Sequence, residues 1–131
     1  MDAVWEDAIK GGDLQQVRLL LDRGTDPDSL NRYGQTALML AAHAGQDELV
    51  KILIAEGTRL NVTAKYGLSA LMLAIVAGHA NVARLLADAG ADLTIQGTGA
   101  PGFAGKTAYD LAVQRDMGEL AEALRLKATT P

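Results

Sequence analysis

The residues with the clearest capacity for chemistry are those from Ala100 to Thr107, which end in Gly105-Lys106-Thr107. A glycine-rich loop that ends in Gly-Lys-Thr, between a strand and a helix, is typical of a loop that holds the phosphates of a nucleotide. Here the strand-like Leu93-Thr94-Ile95 precedes the loop and a helical stretch follows it. The strict motif requires glycine at position 100, where alanine stands. Nucleotide binding through residues 100–107 is therefore one alternative for the function.

Catalytic and metal-binding candidates are few. The only histidines are His43 and His79, and the chain has no cysteine. The lack of cysteine excludes disulfides, thiolate zinc sites and cysteine nucleophiles. The spacing brings no serine, aspartate and histidine together, and two histidines without clustered carboxylates make a poor metal site. We expect that the protein is not an enzyme and that it holds neither a metal nor a cofactor.

The composition indicates one folded domain. The chain has 131 residues, of which 49% are hydrophobic, and this is enough to bury a core without metal or disulfides. A net charge of −4 argues against nucleic-acid binding, which normally requires a basic excess. Residues 1–7 are acidic without an apolar run behind them, and apolar stretches such as 49–55 are too short to cross a bilayer. We expect a cytoplasmic monomer that binds neither nucleic acid nor membrane.

The elements that position these residues repeat at a fixed period. The heptapeptide Thr-Ala-Leu-Met-Leu-Ala-Ala at 36–42 returns as Ser-Ala-Leu-Met-Leu-Ala-Ile at 69–75, and 69 minus 36 is 33. Gly34 and Gly45 recur at the same spacing as Gly67 and Gly78. A degenerate copy precedes this pair, and a last copy follows at a spacing of 38, after five extra residues (38 minus 33). A fixed period of this length predicts a stack of similar units.

The residue pattern of each unit predicts two helices and, after them, an extended turn that we call a finger. Thr36, Ser69 and Thr107 can cap the first helix of their units, and Asp110 can complete a capping box with Thr107. The second helix is expected from about Asp47 to Glu56 in one unit and from about Asn81 to Ala89 in the next, each ending at a glycine.

These residues resemble the ankyrin repeat, whose units begin D-x-x-G-x-T-P-L-H-x-A-A and continue with G-H and G-A-D. Asn31 to Ala42 carry the first pattern, and Gly78-His79 and Gly90-Ala91-Asp92 carry the others. Alanine replaces the proline of the family at 37 and 70, and methionine replaces its histidine at 39 and 72. Neither change opposes the fold, because alanine favours helices and methionine adapts to irregular apolar gaps. The resemblance covers residues 2–126 and implies an all-α solenoid of helix-turn-helix units joined by β-turn fingers.

We predict one domain over residues 1–131. Its divisions are an N-terminal cap repeat (2–30), two full repeats (31–63 and 64–96), a loop insertion (97–104), a C-terminal cap repeat (105–126) and a tail without reason to be ordered (127–131). Three glycines and a proline within the insertion predict a protruding, mobile loop. In this register Gly105 and Thr107 are a turn glycine and a helix cap, and ankyrin units offer no parallel sheet, so the register weakens the case for nucleotide binding.

The resemblance implies a non-catalytic module that binds a protein partner through its finger tips and the exposed face of each first helix. The residues at those positions are Arg32, Tyr33, Gln35, His43, Lys65, Tyr66, Leu68, Val76, Phe103, Lys106 and Arg115. Counted with Lys10, at the matching place in the first unit, they include five of the twelve basic residues and none of the sixteen acidic ones. We therefore predict a partner with an acidic and apolar surface. An engineered or stability-driven scaffold without a natural ligand is a further alternative, which irregular choices such as Leu60 and Ile75 disfavour.

Overall fold

The computed structural model describes residues 1–129, and within that range the chain forms eight α-helices and no strand. The helices are α1 Ala3–Gly11, α2 Leu14–Asp22, α3 Ala37–Ala44, α4 Asp47–Ala55, α5 Ala70–Val76, α6 Ala80–Asp88, α7 Ala108–Gln114 and α8 Gly118–Thr129. A 3-10 turn at Lys65–Gly67 and an isolated bridge between Gly97 and Ala104 lie in the connecting segments. The predicted all-α fold of paired helices is confirmed.

Side-chain caps set where the first helix of each later unit begins. The Thr36 hydroxyl accepts a hydrogen bond from the Met39 amide at 3.1 Å, and the Ser69 hydroxyl accepts one from the Met72 amide at 3.3 Å. At α7, Thr107 and Asp110 form the predicted capping box. Each such cap stabilises its helix by about 1 kcal/mol, so the three helices start at equivalent places in their repeats.

The helices stack in two layers. In one layer α1, α3, α5 and α7 pack each against the next, and in the other α4 packs on α6 and α6 on α8. The two helices of every unit also pack together. The core lies between the layers and is filled by apolar side chains in equivalent positions of successive units, such as Leu53 and Leu86, with Trp5 closing the N-terminal end. Each unit therefore shares its core with its neighbours.

Hydrogen bonds connect the first finger, which leads into α3, with the second, which leads into α5, and the second with the third, which leads into α7. The Asp28 carboxylate accepts from the Arg59 amide at 2.8 Å, and one period later the Asn61 side-chain carbonyl accepts from the Asp92 amide at 2.8 Å. The two acceptors and the two donors are each one period apart, since 61 minus 28 and 92 minus 59 are both 33. These bonds therefore hold the fingers at the same spacing as the helices.

Two side chains one period apart pack back onto the preceding unit. The His79 ring covers Gly45, where an added Cβ would lie 2.6 Å from the ring, and Gln46 covers Gly12 in the same way. The Gln46 side-chain amide also donates to the Ile9 carbonyl at 3.2 Å. His79 makes no side-chain cap to α6. Its role in the structure is to pack between units.

The C-terminal helix is longer than expected. Helix α8 runs to Thr129, whereas the predicted C-terminal unit ends at residue 126 and the predicted tail begins at 127. Leu126, Lys127 and Ala128 are good helix formers, and the sequence has no glycine or proline from residue 119 to residue 129. Residues 130 and 131 lie outside the described residues, and the division of the chain into units stays a prediction.

Candidate protein-binding surface

The tip of the first finger presents a cation on an exposed aromatic ring. Tyr33 is 63% exposed, and the Arg32 guanidinium carbon lies 5.1 Å from the centre of its ring. A guanidinium Nη2 also donates to the Tyr33 hydroxyl at 3.0 Å. A cation over an aromatic face is held by the ring quadrupole, worth roughly 0.5–1 kcal/mol at an exposed site. The pair therefore forms one amphipathic surface element.

Asn31 builds the turn that carries this pair. Its side-chain oxygen accepts from the amides of Tyr33 and Gln35, both at 2.9 Å. Its side-chain nitrogen donates to Gln35 Oε1 at 2.9 Å and to Glu6 Oε2 at 3.0 Å. The hydrogen bond from Asn31 lowers the pKa of Glu6, and a hydrogen bond and charge from Lys10 lower it further. The first finger tip is thereby fixed to α1.

The tip of the second finger presents a similar pair on a different backbone. The Lys65 ammonium lies 5.0 Å from the centre of the Tyr66 ring, which is 38% exposed. The residue equivalent to Asn31 is Ala64, which cannot hold the turn with a side chain. Tyr66 instead adopts a left-handed conformation with φ of 63°, an uncommon state for a residue with a Cβ. This turn needs support from elsewhere in the molecule.

The loop insertion at residues 97–104 supplies that support. The Thr98 amide donates to the Tyr66 carbonyl at 2.7 Å, and the Phe103 ring lies against the Tyr66 ring with centroids 5.4 Å apart. The insertion is closed at its base by hydrogen bonds from Gly97 to the Lys106 carbonyl and from Gly105 to the Gly97 carbonyl, both at 2.9 Å. The sequence predicts that the insertion protrudes and is mobile, but it folds against the second finger. Packing of the two aromatic rings stabilises this contact.

The other predicted binding residues differ in how far their side chains are exposed. His43 and Arg115 are exposed at the ends of α3 and α7, while Gln35, Val76 and Lys106 are half-buried. Leu68 is 4% exposed and belongs to the core, so it offers no side chain to a partner. The position after the turn glycine leads into the helix stack, where an apolar side chain is stabilised by burial.

The segment that resembles a phosphate-binding loop is a closed turn. The amides of Phe103, Ala104 and Lys106 donate to carbonyls of the segment itself, and the Gly105 amide donates to the Gly97 carbonyl, all at 2.9 Å. The Thr107 amide donates to the Asp110 carboxylate at 3.0 Å, and its hydroxyl donates to the same carboxylate at 3.1 Å. A phosphate cradle needs free backbone amides that point at the anion. Here the Asp110 carboxylate already accepts from the Thr107 amide at the start of α7, so the geometry opposes nucleotide binding.

The described residues form neither a metal-binding cluster nor a membrane-spanning helix. Between residues 1 and 129, no group of three or more His, Asp or Glu side chains could hold a metal ion. No helix in this range is long and apolar enough to cross a membrane.

A comparison with protein-family models matches residues 5–97 to ankyrin repeats in three copies. This chain is an ankyrin-repeat protein. The match covers well over half of the chain and ends at Gly97, where the insertion begins. The C-terminal unit that contains α7 and α8 lies beyond the match and stays a prediction from the register. A comparison with curated proteins finds no significant match. Ankyrin repeats are generally protein–protein interaction modules and are typically non-catalytic.

Two residues of the ankyrin finger tips are missing from the predicted binding set. Asn31 and Thr98 form hydrogen bonds within the domain, and these bonds hold Tyr33 and Tyr66, respectively, in place. The sequence does carry a signal for Asn31, since an asparagine side chain often bonds the backbone two residues further on and so forms a local turn. Thr98 acts through its backbone amide, so its identity carries no signal.

Proposed function

We propose that this ankyrin-repeat domain is a non-catalytic module that binds a protein partner with an acidic and apolar surface through a basic aromatic strip. The strip consists of Arg32, Tyr33, Lys65, Tyr66, Phe103 and Lys106. His43 and Arg115, which are exposed at helix ends, extend its edge.

The observation that carries the proposal is the repetition of a cation–tyrosine pair on two successive finger tips, one period apart. Within residues 1–129, the four ion pairs formed involve Lys10, Lys51, Arg125 and Lys127 as cations, so the cations of the strip have no carboxylate partner. Tyrosine and arginine are enriched among the residues that contribute most to binding energy. An acidic and apolar partner would satisfy both the unpaired cations and the rings.

The test compares capture of proteins from the source cell by the parent domain and by two double variants. Tyr33→Ala with Tyr66→Ala removes both rings of the finger pairs, while Lys51→Ala with Arg84→Ala removes two exposed charges of the second-helix layer. We expect a specific partner to bind the parent and the second-layer variant and to be lost from the tyrosine variant. A partner that is retained by the tyrosine variant and lost from the second-layer variant would refute the strip.

A further inference from the structure

Helix α7 exposes apolar side chains at positions that the preceding unit buries. At the spacing of the last copy, Tyr109 is the counterpart of Leu71 and Val113 is the counterpart of Ile75. Leu71 is 1% exposed and Ile75 is 0% exposed, whereas Tyr109 is 40% and Val113 is 51% exposed. Helix α5, which carries the buried pair, is packed between α3 and α7, while α7 has no helix beyond it among the described residues. The outer side of α7 is therefore apolar, like the equivalent side of α5, although no helix covers it among the described residues.

A cavity of about 320 Å³ continues this surface between α7, α8 and the third finger. Its apolar walls are formed by Leu93, Ala108, Tyr109, Leu124 and Ala128. Arg125 also lines it and forms an ion pair with Glu122. We call Tyr109, Val113 and this cavity the C-terminal face. Its centre is apolar, and the positive charge of Arg125 and the negative charge of Glu122 lie beside it.

The N-terminal end differs, because its residues resist the same kind of stacking. Val4 occupies the position of Ala37, Ala70 and Ala108, which are small residues and are all buried in the stack. A larger side chain at such a site causes overpacking. Gln16 occupies the position of Leu49 and Val82 in the core, and a polar group buried there without a partner is costly. A second copy could not extend the stack head to tail without these penalties.

We propose that the C-terminal face is a self-association site, at which two copies pair α7 against α7 about a twofold axis. A twofold contact brings the same surface of each copy together, so each copy's Tyr109 and Val113 meet an equally apolar surface. Arg125 of each copy can then pair with Glu122 of the other copy across the axis, because each copy carries both residues. None of the six residues of the basic aromatic strip belongs to the C-terminal face, so the proposed dimer uses a separate surface.

The test is sedimentation equilibrium of the full chain over concentrations up to the millimolar range. Val113→Glu places a charge at the centre of the face, and Val4→Glu is the matched control, because Val4 is 53% exposed and lies at the other end. We expect the parent to approach twice the monomer mass, Val113→Glu to weaken the dimer by roughly tenfold or more, and Val4→Glu to match the parent. Both sites are exposed, and circular dichroism checks that both variants are folded.

A second measurement uses the absence of cysteine from the chain. Val113→Cys should form a disulfide-linked dimer under mild oxidation faster than Val4→Cys does, because the axis brings the two copies of residue 113 together. A parent that stays monomeric at every concentration overturns the proposal, and so does a dimer that Val113→Glu leaves unchanged. Assemblies larger than a dimer that Val4→Glu also weakens would indicate head-to-tail stacking and would equally overturn it.

Discussion

Tyr33 and Tyr66 occupy the same position of successive repeats, yet different neighbours hold them. Four hydrogen bonds of the Asn31 side chain fix the first turn. The second turn keeps a left-handed tyrosine in place through the Thr98 amide and the Phe103 ring. One surface pattern thus depends on a local side chain in one finger and on a distant segment in the other.

Asn31→Ala should destabilise the domain by about 1–3 kcal/mol, because it leaves partly buried groups without hydrogen-bond partners. Urea unfolding measures this loss. Asn61→Ala is the control, since the Asn61 side-chain oxygen accepts from one exposed amide, and it should cost about 0.5–1.5 kcal/mol. An equal cost for the two variants would mean that Asn31 does not organise the turn.

The same variant should raise the pKa of Glu6, because the hydrogen bond from Asn31 is the main cause of its lowering. A lowered pKa means that the folded state favours the carboxylate. That contribution is present at neutral pH and is lost as the pH falls through the folded pKa of Glu6. Asn31→Ala should therefore flatten the acid limb of the stability curve, which urea titrations at several pH values can show.

A substitution at Gly45 tests how tightly the His79 ring packs between neighbouring units. Gly45→Ala meets both a left-handed backbone, with φ of 71°, and the His79 ring, whereas Gly57→Ala meets φ of 75° and open space. The second change should cost about 1 kcal/mol, and the first should cost at least that much again because the ring must move. Thermal or urea unfolding compares the two. Similar costs would show that His79 moves aside freely.

At the scale of elements, the stack could be predicted in more detail than the fingers. The caps predict where the first helices of the internal units begin, and the period and glycines predict both ends of their second helices to within one residue. These predictions succeed because an α-helix is set by local signals at its ends. The contact of the insertion with the second finger and the burial of Leu68 are not predicted. Both depend on contacts between segments that are distant in sequence, which neither spacing nor composition records.

Deleting Thr98 to Gly102 should restore the regular period and leave the helices intact, because the insertion lies outside both helix layers. The second finger should loosen, however, since the Tyr66 carbonyl loses the Thr98 amide. Far-ultraviolet circular dichroism should therefore be unchanged, while hydrogen exchange at positions 65–68 should become faster. Collapse of the helical signal would show that the insertion is part of the core, and unchanged exchange would show that the turn does not need it.

At the scale of the whole molecule, the charge distribution separates the strip from the rest of the chain. The net charge is −4, yet the strip carries three cations and no carboxylate. Exposed charges accelerate association with an oppositely charged partner, while buried rings slow dissociation. The rings and the cations of the strip should therefore control different rate constants.

Once a partner is identified, Tyr33→Ala combined with Tyr66→Ala should chiefly raise its dissociation rate, and Lys65→Glu should chiefly lower its association rate. The effect of Lys65→Glu should shrink as salt is added, because exposed charges are screened beyond about 8–10 Å at physiological ionic strength. Surface-based kinetics at several salt concentrations separate the two rate constants. Lys65→Glu should melt near the parent temperature, since Lys65 lies outside the core. The tyrosine variant also loses the ring contact between Tyr66 and Phe103, so circular dichroism must show that it is folded before its rates are compared. If Lys65→Glu slowed association equally at low and high salt, its charge would not steer the partner, and the acidic character proposed for that partner would be wrong.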